Sequence, residues 1–133
     1  MGNSMQTDNF GRQDKMISCP CCGKGELSAG MHILLEIIRA HFNAPVTITS
    51  GSRCKAHHLA IYKKLGKDAP EYSDHLLDDV FQSSGGDIKV KGHTPMEVYN
   101  FLNNTPYAGI LALGVYSTWL HVGLRGYPAR WGV

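Results

Sequence analysis

Two apolar runs near the end of the chain, "GILALGVY" and "WLHVGLRG", are joined by the short turn "STW", and this pairing restricts the fold more than any other feature. Runs of this kind, so close together, form an antiparallel strand pair. In the second run the strand period of two puts Leu120, Val122 and Leu124 on one face and Trp119, His121 and Gly123 on the other. The leucine and valine face has to be covered, and His121 is then turned out of the sheet beside a tryptophan that can wall a cleft.

The cover is legible upstream. Met31, Leu34, Leu35, Ile38 and Phe42 recur at helical spacing behind Ser28, a suitable cap, and predict a helix of about four turns. "PVTITSGSR" predicts a strand broken at Gly51, and "CKAHHLAIYKKLGK" a turn leading into a short helical or irregular segment. "GGDIKVKG" predicts another strand, bounded by glycines. "TPME" after it combines Thr94 as cap, Pro95 at the first helical position and Glu97 at the third, a capping box for a helix carrying Val98, Phe101 and Leu102. The expected fold class is α+β, a small antiparallel sheet with flanking helices.

At 133 residues the chain has the length of one ordinary domain. Residues 1–15 are polar and aperiodic, as a flexible arm would be, and residues 16–133 are expected to form the domain. The net charge is +2 and no Lys/Arg run exceeds two residues, so a nucleic-acid partner is not expected. No apolar stretch approaches the roughly 20 residues that span a bilayer, so membrane insertion is not expected either. The start lacks the apolar run of a secretory signal, which implies synthesis in the cytoplasm.

Cysteines stand at 19, 21, 22 and 54. A C-x-C-C cluster with one distant partner does not easily close a tetrahedral zinc site; buried thiols or a pairing of Cys54 with the cluster are the other readings, and spacing does not choose between them. Among the seven histidines, His32, His41 and His93 read as solvated or capping residues. His75, in "SDHLL", Asp87, which begins the "DIKV" run, and His121 make two imidazoles and a carboxylate. Such a set leaves a fourth position on zinc for water, the arrangement of hydrolytic zinc enzymes.

"ITSGSRC", "SDHLL", "GGDIKVKG" and "WLHVGLRGYPARW" occur in the order of the blocks of zinc D-Ala-D-Ala carboxypeptidases and related murein peptidases, and the sequence resembles that family, with its Hedgehog-like peptidase fold, from about Ile17 to Trp131. It looks most like the small phage-type branch, whose cysteine-bearing lead-in "SCPCCGKGEL" also resembles. The resemblance implies a zinc metallopeptidase, a carboxypeptidase or endopeptidase, that hydrolyses an amide in the peptide stems or cross-links of bacterial peptidoglycan. His75, Asp87 and His121 match its zinc ligands, and Arg53 the arginine that holds a substrate carbonyl or carboxylate. His58, five residues after Arg53, is a catalytic candidate or a helix surface residue, and Tyr116 and Trp119 are candidate substrate contacts. The enzyme would act on the cell wall after release from the cell or delivery in a virion.

Three positions depart from the pattern. Eleven residues separate His75 from Asp87, a longer loop than usual, which closure entropy tolerates because it grows slowly with length. The acidic residue common two positions after the last histidine is Gly123, and the base that other branches place three positions before it is Thr118. Asp74, Glu71, Asp78 and Asp79 are the nearest acids, and each reads as a solvated carboxylate. A degenerate member that only binds wall peptides, or is a structural part of a phage particle, is the competing expectation.

Overall fold

The computed structural model describes residues 26–51, 55–68, 73–76 and 82–133. In chain order these form β1 (Glu26–Leu27), α1 (Ala29–Phe42), β2 (Val46–Ser50), α2 (Lys55–Leu65), β3 (Gln82–Ser83), β4 (Gly85–Val90), α3 (Pro95–Asn103), a 3-10 turn (Ala108–Ile110), β5 (Leu111–Val115), β6 (Leu120–Leu124) and β7 (Ala129–Trp131). The polar arm, all four cysteines, Arg53, Glu71, Asp78 and Asp79 lie outside the described residues.

Both expected helix starts are present. Ser28 Oγ accepts a hydrogen bond from the Met31 amide, and α1 ends at Asn43 with φ of 48°. At α3, Thr94 Oγ1 accepts from the Glu97 amide at 3.2 Å while Glu97 Oε1 accepts from the Thr94 amide at 3.0 Å. Glu97 is held below its ordinary pKa by the Thr94 amide and by His93, whose Nδ1 lies 3.1 Å from Oε2. Thr94→Ala removes half of this box, and a loss of about 1 kcal/mol in unfolding free energy is expected from urea titration.

The main sheet has the order β2-β4-β6-β5-β7. Its β5 and β6 are the antiparallel pair expected from the two apolar runs. The expectation of a wholly antiparallel sheet is corrected at one edge, where β7 runs parallel to β5. One edge of β6 is taken by β4, so a chain that reverses after β6 finds its free edge on β5, and reversal gives it the direction of β5. Arg130 fastens this short strand: its guanidinium donates to Asn103 Oδ1 at 3.0 Å and to the Ala108 carbonyl at 2.8 Å. A two-residue parallel pairing of β1 with β3 makes a separate small sheet.

The two faces of the main sheet differ as the period of two requires. On one, Ile48, Ile88, Leu113, Leu120 and Val122 pack with Met31, Leu35 and Ile38 of α1 and with Val98 and Leu102 of α3. His32 also belongs to this interior, 1% exposed, which corrects the reading of it as solvated. It stands one turn before Leu35, so the inward arc of α1 is wider than its apolar positions suggest. On the opposite face the register aligns Ser50, Asp87, His121, Gly114 and Trp131 in one row across all five strands. A second row beside it, Gly85, Gly123, Ala112 and Ala129, holds only small residues.

Candidate metal centre

The row through β4 and β6 places Asp87 directly opposite His121, and a turn at residues 73–76 brings His75 to them. That turn is closed by a hydrogen bond from the Leu76 amide to the Ser73 carbonyl at 3.0 Å. A register shift between Ile48 and Ser50 then carries Gly51 to His75, whose Nδ1 lies 2.7 Å from the Gly51 carbonyl oxygen. The carbonyl can only accept, so Nδ1 carries a proton, and Nε2 faces Asp87 Oδ1, 3.3 Å away. His121 does the same with its nitrogens exchanged. Its Nε2 lies 2.7 Å from Asp74 Oδ2, and its Nδ1 lies 3.0 Å from Asp87 Oδ1.

Three donor atoms, from His75, Asp87 and His121, thus meet within 4.8 Å of one another. Donors about 2.1 Å from a tetrahedral centre stand about 3.4 Å apart, close to the separations from Asp87 to each ring. The electrostatics agree. Burial opposes ionisation of Asp87, yet hydrogen bonds from His121 and His75 and the charge on those rings outweigh it and hold the carboxyl well below the ordinary carboxylate range. Burial likewise opposes protonation of His121, and the Asp74 and Asp87 carboxylates overcome it, so its pKa is raised. Positive charge is favoured where the three donors converge, and a divalent cation would supply it with both outer ring nitrogens already engaged.

The site opens into a cleft of about 430 Å³ whose lining includes Tyr62, Tyr116, Trp119, Arg125 and Trp131. Tyr116 and Trp119 stack at 4.7 Å with an interplanar angle of 10°, and the Trp131 indole N–H donates to Tyr116 Oη at 3.0 Å. Gly114 makes this wall possible, since a Cβ there would lie 2.1 Å from the Trp131 ring. Trp131 also lies 5.2 Å from the His121 ring and under the Arg125 guanidinium.

Of the residues singled out from sequence, His75, Asp87 and His121 converge, and Tyr116 and Trp119 line the cleft. His58 is buried on α2 with its ring edge against Tyr62, and it is not among the described lining residues. Asp74 departs most from expectation: read as solvated, it is 2% exposed and bound to both His121 and Arg125. The signal that could have found it is Gly123, which leaves space on the His121 face where the family pattern has an acid.

A family model described as Peptidase M15 matches residues 4–123. The chain therefore belongs to the peptidase M15 family, whose members are zinc-dependent peptidases, and the α+β fold agrees with that membership. No curated protein and no solved structure matches the chain. No helix among the described residues is long and apolar enough to cross a membrane.

Proposed function

We propose that this protein is a zinc-dependent peptidase that hydrolyses an amide bond in the stem peptides or cross-links of bacterial peptidoglycan, acting on the wall after release or delivery. The observation that carries the reading is the aim of the two imidazoles, His75 Nε2 and His121 Nδ1, at one oxygen of Asp87. When bound, zinc lowers the pKa of a water to about 7 and polarises the carbonyl to be attacked.

The chain's own residues supply orientation. His75, Asp87 and His121 would hold the ion, and the stacked Tyr116 and Trp119 offer a flat wall against which an extended peptide can lie. Arg53 is assigned the substrate carbonyl or carboxylate; it follows by two residues Gly51, whose carbonyl holds His75, a separation of at most about 7 Å along the chain. Its planar fork of donors suits an oxygen that gains charge as the amide is attacked. Among the described lining residues only Asp74 and Asp87 are carboxylates, and both are engaged by the histidines. Proton transfer to the leaving amine is left to a group outside that pair, for which His58 and, in the loop between His75 and Asp87, Asp78 and Asp79 are the candidates.

The test is digestion of purified muropeptides followed by mass spectrometry. Chelation should lower cleavage by roughly 100-fold or more, about 2.7 kcal/mol in barrier, and added zinc should restore it. A zinc-loaded chain that binds muropeptides and leaves every amide intact would transfer the reading to the binding-only member.

A further inference from the structure

We infer that Asp74 is a positioning residue of the metal centre, holding the proton of His121 on Nε2 and so turning Nδ1 toward Asp87 and the metal position, and that Gly85 and Gly123 form the notch that admits it. The inference rests on the zinc reading of the site above.

Asp74 lies next to His75 in sequence, so one turn delivers one proposed ligand and braces the other. Its side chain is fully buried. A carboxylate in that position is costly unless it is fully engaged, and Asp74 accepts from His121 Nε2 at 2.7 Å and from Arg125 Nε at 3.0 and 3.2 Å. A carboxylate accepts and cannot donate when ionised, so the nitrogen facing it must carry the proton. Nδ1, on the other side of the ring and 3.0 Å from Asp87 Oδ1, is then the nitrogen that would give up its proton to a metal, because it points into the site while Nε2 stays bound to Asp74. Arg125 prevents Asp74 from turning away, and it is itself held over the Trp131 ring, 5.5 Å from the centroid.

The notch is specific to this carboxylate. Gly85 and Gly123 are direct partners across β4 and β6. A Cβ on Gly85 would come within 2.2 Å of Asp74 Cβ, and a Cβ on Gly123 within 2.3 Å of Asp74 Oδ2. The space two residues beyond His121 on its own strand face is thus filled from a different segment of the chain. An aspartate at 123 and the one at 74 exclude each other.

Zinc affinity of the full chain, measured by competition with a chromophoric chelator, tests this without recourse to activity. Asp74→Asn keeps the shape of the side chain and removes its charge, and zinc should bind 10- to 100-fold more weakly, the usual effect of losing such a partner. Asp74→Gly combined with Gly123→Asp moves the carboxylate to the other strand and should return the affinity to within a few-fold of wild type. Nitrogen-15 NMR of the zinc-loaded wild type should show His121 protonated at Nε2. Equal affinity in wild type and Asp74→Asn would make Asp74 a plain structural ion pair and overturn the inference. So would a proton on Nδ1 of His121 in the zinc-loaded wild type, a result that needs no variant to fold. A wild-type chain that takes up no zinc is a different failure, which removes the zinc reading and this inference together.

Discussion

Asp87→Asn should bind less than a tenth of the zinc held by the wild type at equal free metal, and its cleavage of muropeptides should fall by roughly 1000-fold, about 4 kcal/mol in barrier. The change is isosteric. The backbone pairing of Asp87 with His121 and with Ser50 does not depend on the carboxylate, so the strand should keep its place. What disappears is the one negative oxygen at which both imidazoles aim. Metal content per chain by mass spectrometry, together with the circular dichroism spectrum, separates loss of the ion from loss of the fold. Full zinc content in a folded Asp87→Asn chain would place the metal elsewhere.

Gly123→Ala should destabilise the chain by about 1–3 kcal/mol, the ordinary cost of forcing a methyl group into packed space. The new Cβ meets Asp74 at 2.3 Å from Oδ2 and 2.6 Å from Cγ, and Asp74 is held on one side by His121 and on the other by Arg125. Gly86→Ala is the matched control from the partner strand. Its Cβ comes no closer than 3.5 Å to any atom, the Ser50 carbonyl oxygen, and a much smaller change is expected. Urea midpoints for both variants check the contrast. A Gly123→Ala chain as stable as Gly86→Ala would mean that Asp74 does not fill the notch.

Much of this arrangement is legible before any coordinates. The caps at Ser28 and Thr94 announce α1 and α3 because they are local hydrogen bonds between residues three apart. The hairpin of β5 and β6 announces itself through length and alternation, and alternation alone turns His121 away from the core. Asp87 could be aligned with His121 across a lengthened loop because the glycines before it and the β-branched run after it mark one strand.

Other features depend on contacts that local sequence does not carry. β7 has three residues, too few to display a period, and its parallel pairing follows from which strand edge is left open. Asp74, between Ser73 and His75, looks like any acid in a polar turn. Its burial depends on two glycines, one eleven and one forty-nine residues away, that acquire meaning only when β4 and β6 pair. His32 is similar: a polar residue on an amphipathic helix, drawn inside because the helix is covered over a wider arc than its leucines define.

That Gly123 lacks a carboxylate suggests, from sequence, a weakened site. In the folded chain an aspartate at 123 would collide with one already present, so adding it alone is expected to disrupt the centre and not to repair it. The carboxylate beside that position is Asp74, which His121 and Arg125 engage.

The most direct measurement is X-ray diffraction on either side of the zinc absorption edge, from crystals of the full chain grown with zinc. The expected result is a single strong anomalous peak ligated by His75 Nε2, Asp87 Oδ1 and His121 Nδ1. A peak on the cluster of Cys19, Cys21 and Cys22, or none at the three residues, would contradict it.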